Sequence, residues 1–178
     1  MATFRAHLRP ALVWGISLCL LTVLLVVLHW RQEVPTDEER RSLMEQISAG
    51  GLGFMQILFG EMHSLTEFGG FAEWYGLGLM PLLVGVVMVL TATAVTRGAE
   101  ERGEAEMLVS MPLSRGRAFA EQSLGLLLIL ALLTGFIWLG LLVSGPAAGA
   151  PTISMADAVL AAANVAAIAT LFATLGLL

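Results

Sequence analysis

The chain has 178 residues, 57% hydrophobic and only 13% charged, whereas a soluble domain carries about 25% charged residues, so the composition excludes a soluble domain and marks an integral membrane protein. The formal charge of −5 is small and dispersed, which leaves no basic footprint for nucleic acid. All nine basic residues are arginine, and a chain without lysine cannot build the phosphate-binding loop Gly-x-x-x-x-Gly-Lys-Ser/Thr.

A hydrocarbon layer about 30 Å thick takes roughly 20 helical residues to cross. Four runs reach that length: about 11–30, 76–96, 118–144 and 155–178. The expected fold is therefore all-α, a polytopic helical membrane protein with one transmembrane domain over 1–178. The first run follows Arg5, His7 and Arg9. It is too long for a secretory signal core and no small-x-small cleavage site follows it, so it reads as a retained span. Cys19, the one cysteine, lies inside this run, cannot form an internal disulfide and reads as a small packed hydrophobe.

The outer loop, 31–75, opens with Pro35 and Thr36, and Thr36 with Glu39 has capping-box spacing. Leu43, Met44 and Ile47 share one face of the helix that would follow. Leu52 to Phe59 is apolar again after the Gly50-Gly51 break, so two short amphipathic helices on the outer membrane surface are expected. A small ordered cap packed on the spans is the equal alternative. His63 and Glu67 at i,i+4, with Glu61, could hold a divalent ion on the outer face, but two or three scattered ligands without cysteine make a weak metal signal, and no metal site is expected. His29, Trp30, Trp74 and Tyr75 fall where aromatic and amphipathic side chains mark the outer interface.

Arg5, Arg9, Arg97, Arg102, Arg115 and Arg117 flank one side of the spans, against Arg31, Arg40 and Arg41 on the other. The positive-inside bias then predicts a cytoplasmic N-terminus and a cytoplasmic loop at 97–117, in a multi-pass protein of the plasma or inner membrane. In the last run, Ala158, Ala162, Ala166, Thr170 and Thr174 recur every fourth residue and predict a thin helix-packing face. Asn164 sits mid-span, where lipid offers no hydrogen bond, and Asp157 lies nearer the outer end. Each is a candidate for lining a translocation path or for helix-to-helix bonding. The chain stops at Leu178 without a polar flank, and is expected to belong to a longer protein.

Within the cytoplasmic loop, Glu100-Glu101-Arg102-Gly103, then Glu106-Met107-Leu108, then Pro112-Leu113-Ser114-Arg115 resembles the cytoplasmic signature of type-2 ABC exporter permeases. Thr66-Glu67-Phe68-Gly69-Gly70-Phe71 and Pro81 resemble the approach to that family's second span. Glu104-Ala105 departs from it, since the family tends to carry Thr-Leu there. The resemblance implies a unit of six spans, of which four fall in this chain. It also implies a coupling helix, 100–112, that docks in a cleft on a separate ABC ATPase subunit through Glu100, Glu101, Arg102, Gly103, Glu106, Leu108, Pro112 and Arg115.

Helical spacing puts Ala105, Leu108, Val109 and Pro112 on one apolar stripe of such a helix, with Glu100, Glu101 and Glu104 in its first turns, where the helix dipole favours negative charge. The resemblance further implies that ATP and Mg are bound by the partner ATPase, with no cofactor in this chain, and that a second permease unit completes the assembly within membrane lipid. The chain itself is then not an enzyme. Two other classes compete: a non-transporting membrane scaffold or assembly subunit, and an intramembrane hydrolase. For the hydrolase, Glu100-Glu101 invites the comparison but His7, His29 and His63 all lie in or beside loops.

Overall fold

The computed structural model describes residues 2–33, 36–47, 49, 67–101 and 115–177. Six α-helices occur among them: α1 (Ala2–Leu28), α2 (Asp37–Gln46), α3 (Phe68–Leu77), α4 (Met80–Glu101), α5 (Arg115–Ala148) and α6 (Met155–Leu177). A π-helical segment, His29–Glu33, continues α1, and no strand is present among the described residues.

Four stretches are long and apolar enough to cross a membrane: His7–Gln32, Phe68–Val95, Phe119–Ala148 and Met155–Gly176. The second combines α3 and α4 across the turn at Gly78 and Leu79, so it begins before the stretch expected to open at Gly76. Val13, Ile16, Leu20 and Leu24 on α1, like Leu82, Val86 and Leu90 on α4, are exposed on the outside of the bundle. Apolar surface that continuous is unstable in water and stable in lipid, so this is a membrane protein.

The long helices associate as two parallel pairs. α1 packs most extensively on α5, with Gly15 beside the ring of Phe136 and Gly140 beside Cys19 and Thr22. α4 packs on α6, with Gly85 beside the ring of Phe172 and Gly176 beside Val89 and Ala92. α5 and α6, antiparallel neighbours, join the pairs. Residues 2, 101, 115 and 177 therefore share one end of the bundle, and α2, α3 and the α5–α6 connection share the other. The core between the pairs holds Met80, Val84 and Met88 of α4, Ile129, Leu133 and Ile137 of α5, and Val165 of α6, each almost wholly buried.

Buried hydroxyls bond back to carbonyls of their own helices, which removes the cost of an unpaired polar group in an apolar interior. Thr22 donates to Leu18 O at 2.9 Å, Thr134 to Leu130 O at 2.9 Å and Ser144 to Leu141 O at 2.6 Å.

The buried face of α6 differs from the stripe expected from the sequence. Ala158 and Ala162 are buried, but the face continues at Val165, Ala169 and Ala173, while Ala166 and Thr170 are half-buried and Thr174 is exposed. A strict four-residue repeat drifts around a helix of 3.6 residues per turn, so a straight contact line leaves it after two turns.

The capping box is present. Thr36 Oγ1 accepts from the Glu39 amide at 3.3 Å, and Glu39 Oε2 accepts from the Thr36 amide at 3.0 Å and hydroxyl at 2.7 Å. α2 lies on an aromatic shelf, with Ile47 against Phe71 and Trp74, and Leu43 and Met44 at the margin. The stretch expected to form a second outer helix, Leu52 to Phe59, lies outside the described residues, as do Glu61 and His63.

Hydrogen bonds from the Thr36 hydroxyl and amide hold the Glu39 carboxyl below its ordinary value. The folded value is the lower one, so this contribution is complete above the ordinary glutamate range and is lost as pH falls through the folded value. Amide protection of α2 by hydrogen exchange is expected to fall along that acid limb, and Thr36→Val, which deletes the hydroxyl and keeps the amide bond, should reduce the pH dependence. Protection that is the same in both proteins across this range would refute the coupling.

Candidate functional site

The expected docking segment divides at the edge of what the structure describes. Glu100 and Glu101 are the last residues of α4, and Arg115 is the first of α5. Arg102, Gly103, Glu106, Leu108 and Pro112 lie outside the described residues. The flanks of the 102–114 segment fall at the same end of the bundle as Arg5 and Arg9.

The opposite end is built on aromatic rings. Trp30 meets Phe68 and Phe71 edge-on, with centroids 5.0 and 5.1 Å apart, and Phe71 stacks on Tyr75 at 4.7 Å. His29 lies 4.6 Å from Tyr75, and Trp74 lies 5.0 Å from it. These four interface residues of the sequence reading thus form one assembly with α3. The guanidinium of Arg40 sits 3.5 Å above the Trp30 ring and pairs with Asp37 at 2.7 Å. A cation over an aromatic face keeps favourable electrostatics where water is excluded, which allows Arg40 its 7% exposure.

Arg31 donates from Nε to the carbonyl of Ala148 at 3.1 Å, covering one free carbonyl at the end of α5. That end is closed by paired bonds, Gly149 N to Pro146 O at 3.2 Å and Ala150 N to Gly145 O at 3.0 Å. Gly149 has φ of 70°, which a side chain would strain.

Between α3 and α6 runs a groove of about 450 Å³ that contains both path candidates, Asp157 and Asn164. Gly70, Glu73 and Leu77 supply one wall at i, i+3, i+7 spacing. Asp157, Ala161 and Asn164 supply the other at i, i+4, i+7, so each wall is a single helix face. Leu141 of α5 contributes to the apolar lining, and Glu67 stands at the α3 N-terminus.

Asp157 is fixed by the start of its helix. Its amide donates to Ser154 Oγ at 3.1 Å, and its Oδ2 accepts from that hydroxyl at 2.6 Å. Two of the three bonds of the Thr36–Glu39 arrangement recur here with a shorter acid, and Ser154-x-x-Asp157 before an apolar run was their visible sign. Asn164 is exposed in the groove and has no hydrogen-bond partner among the described residues.

Glu73 was not singled out by sequence reasoning. It lies one turn before Leu77 on a helix that the composition does not separate from the outer loop. A neighbouring recess of about 410 Å³ shares Glu67, Gly69, Ile153 and Asp157 and adds Trp30 and Arg40. No cluster of three metal-ligating side chains occurs among the described residues. No family model, no curated protein and no solved structure matches this chain.

Proposed function

We propose that this chain is a membrane-spanning permease of an ATP-driven type-2 ABC exporter, coupled to a separate ATPase through the helix at 100–112. The observation that carries this reading is the order and spacing of Glu100-Glu101-Arg102-Gly103, Glu106-Met107-Leu108 and Pro112-Leu113-Ser114-Arg115 between two long apolar helices. The continuity of α4 to Glu101 and of α5 from Arg115 supports it, because a segment held at both ends by spans can pass a push to both.

In this reading the partner supplies ATP, Mg and the hydrolytic site, and a second permease unit closes the path in the cell membrane. α4 and α5 belong to different parallel pairs, so displacing the segment between them shifts one pair against the other. Rigid helices packed at close-fitting faces transmit such a shift as a change of arrangement, not as local bending. The groove at the opposite end is where the moving walls would open and close on cargo.

Purification of the tagged protein from its native membrane in mild detergent tests the assignment. An ATP-binding protein carrying a phosphate-binding loop is expected to remain attached, and a reporter placed within 102–114 is expected to report the cytoplasm. Purification free of any such protein, or a reporter on the outer side, would overturn it.

A further inference from the structure

We propose that α2 is a lid on the outer end of the bundle, one that opens separately from the spans and is latched shut by Arg40 on the ring of Trp30. The lid goes beyond the permease reading and does not depend on it.

The seat is built without the lid. Trp30, Phe68, Phe71, Trp74 and Tyr75 hold one another through ring contacts between the end of α1 and α3, and none of these contacts uses α2. Ile47, Phe71 and Trp74 form a hydrophobic cluster of their own, apart from the core of the spans, with Trp30 at the margin of both. Lifting α2 therefore uncovers the shelf and leaves the core between the helix pairs closed.

The attachment of α2 is narrow. Of residues 36–47, Arg40 and Ile47 are buried and Leu43 and Met44 half-buried, a single stripe at i, i+3, i+4, i+7, and the others are exposed. The Thr36–Glu39 cap, the Asp37–Arg40 pair and the bond from Gln46 Nε2 to Ser42 Oγ at 3.3 Å all close within α2, so they add nothing to its hold on the shelf. A short, water-facing element with few buried contacts meets the conditions for local opening.

Arg40 makes the closed state conditional on Trp30. Leu43, Met44 and Ile47 contribute ordinary apolar burial, whereas the Arg40 guanidinium is a charge taken out of water and set 3.5 Å from the ring centroid. With the aromatic face beneath it the charge is stabilised in place; without that face, hydration favours its release and α2 lifts with it. Arg40 is also the contribution of α2 to the recess of about 410 Å³, which shares Glu67, Gly69, Ile153 and Asp157 with the α3–α6 groove. Opening the latch removes that wall.

Hydrogen exchange on the full chain in lipid nanodiscs tests both parts. A ten-residue helix off its shelf is marginal in water, so detachment is read directly as amide exchange. In the unaltered protein, α2 amides are expected to exchange at least tenfold faster than those of α3. Trp30→Leu should then accelerate α2 about tenfold more in the native background than in Arg40→Met, the size of a desolvated cation–aromatic contact.

The cycle of four proteins subtracts what loss of the ring does to Phe68 and Phe71, and amides in the middle of α4 and α5 should be unchanged throughout. Trp30→Phe, which keeps a ring of weaker attraction, should give the same sign in the same cycle if Trp30→Leu disturbs α3. Exchange of α2 and α3 as one unit in the unaltered protein would overturn the lid. Equal effects of the Trp30 substitutions in the two backgrounds would overturn the latch.

Discussion

Gly140→Val is expected to separate α1 from α5. A Cβ at this position would lie 3.1 Å from the carbonyl oxygen of Cys19, 3.2 Å from Thr22 Cβ and 3.4 Å from Cys19 Cα. Two of these three atoms are backbone, so no rotamer change makes room and the helices must move apart along the most extensive contact in the bundle. Overpacking of a tight core costs about 1–3 kcal/mol, and a branched side chain against backbone belongs at the top of that range.

The gap would expose Cys19, so alkylation of its thiol should accelerate as the melting temperature drops. Gly135→Val on the same helix is the control, because a Cβ there meets nothing within 4 Å and the change also favours helix. Equal melting and equal thiol reactivity in the two variants would show that the close approach carries no stability.

Leu108→Ala, alone and with Glu101→Ala, is expected to abolish most coupled transport while membrane insertion stays normal. The coupling reading places Leu108 at the centre of the apolar stripe formed with Ala105, Val109 and Pro112, where an anchor that fills a partner's cleft contributes about 2 kcal/mol. That loss corresponds to roughly thirtyfold weaker association. Glu101 ends α4 and would begin the docking helix, so its removal should lower the coupling of ATP hydrolysis to export. Transport and ATPase stimulation at the native level in the double variant would refute the docking role.

The four spans were legible because their length is fixed by the hydrocarbon layer and not by neighbours. Their ends were less so. α1 starts at Ala2, although its apolar run starts at Ala11, because backbone hydrogen bonds continue through Arg5 and Arg9 regardless of polarity. α3 was hidden in the outer loop by Gly69, Gly70 and Glu73, yet Phe68, Phe71, Ala72, Trp74, Gly76 and Leu77 bury it.

The Thr36–Glu39 cap was legible because both partners lie in one turn. Arg40 over Trp30 was not, since no spacing rule links a loop arginine to a preceding tryptophan. The same limit governs the groove: Asp157 and Asn164 could be picked out as polar residues in or near a span. Their apposition to Glu73 depends on how α3 and α6 fold onto one another, which is a property of the packed bundle.

The parallel pairing of α1 with α5 bears on biosynthesis. Gly15 and Thr22 receive their main neighbours only after Phe136 and Gly140 have been translated, and at about 5–20 residues per second that interval is on the order of ten seconds. Throughout it the nascent first helix must be sheltered by the insertion machinery or by lipid, with its notched flank exposed to membrane proteases. Stalling the ribosome before codon 136 should therefore yield a chain that is degraded rapidly, and stalling it well beyond Ala148 should yield one that survives.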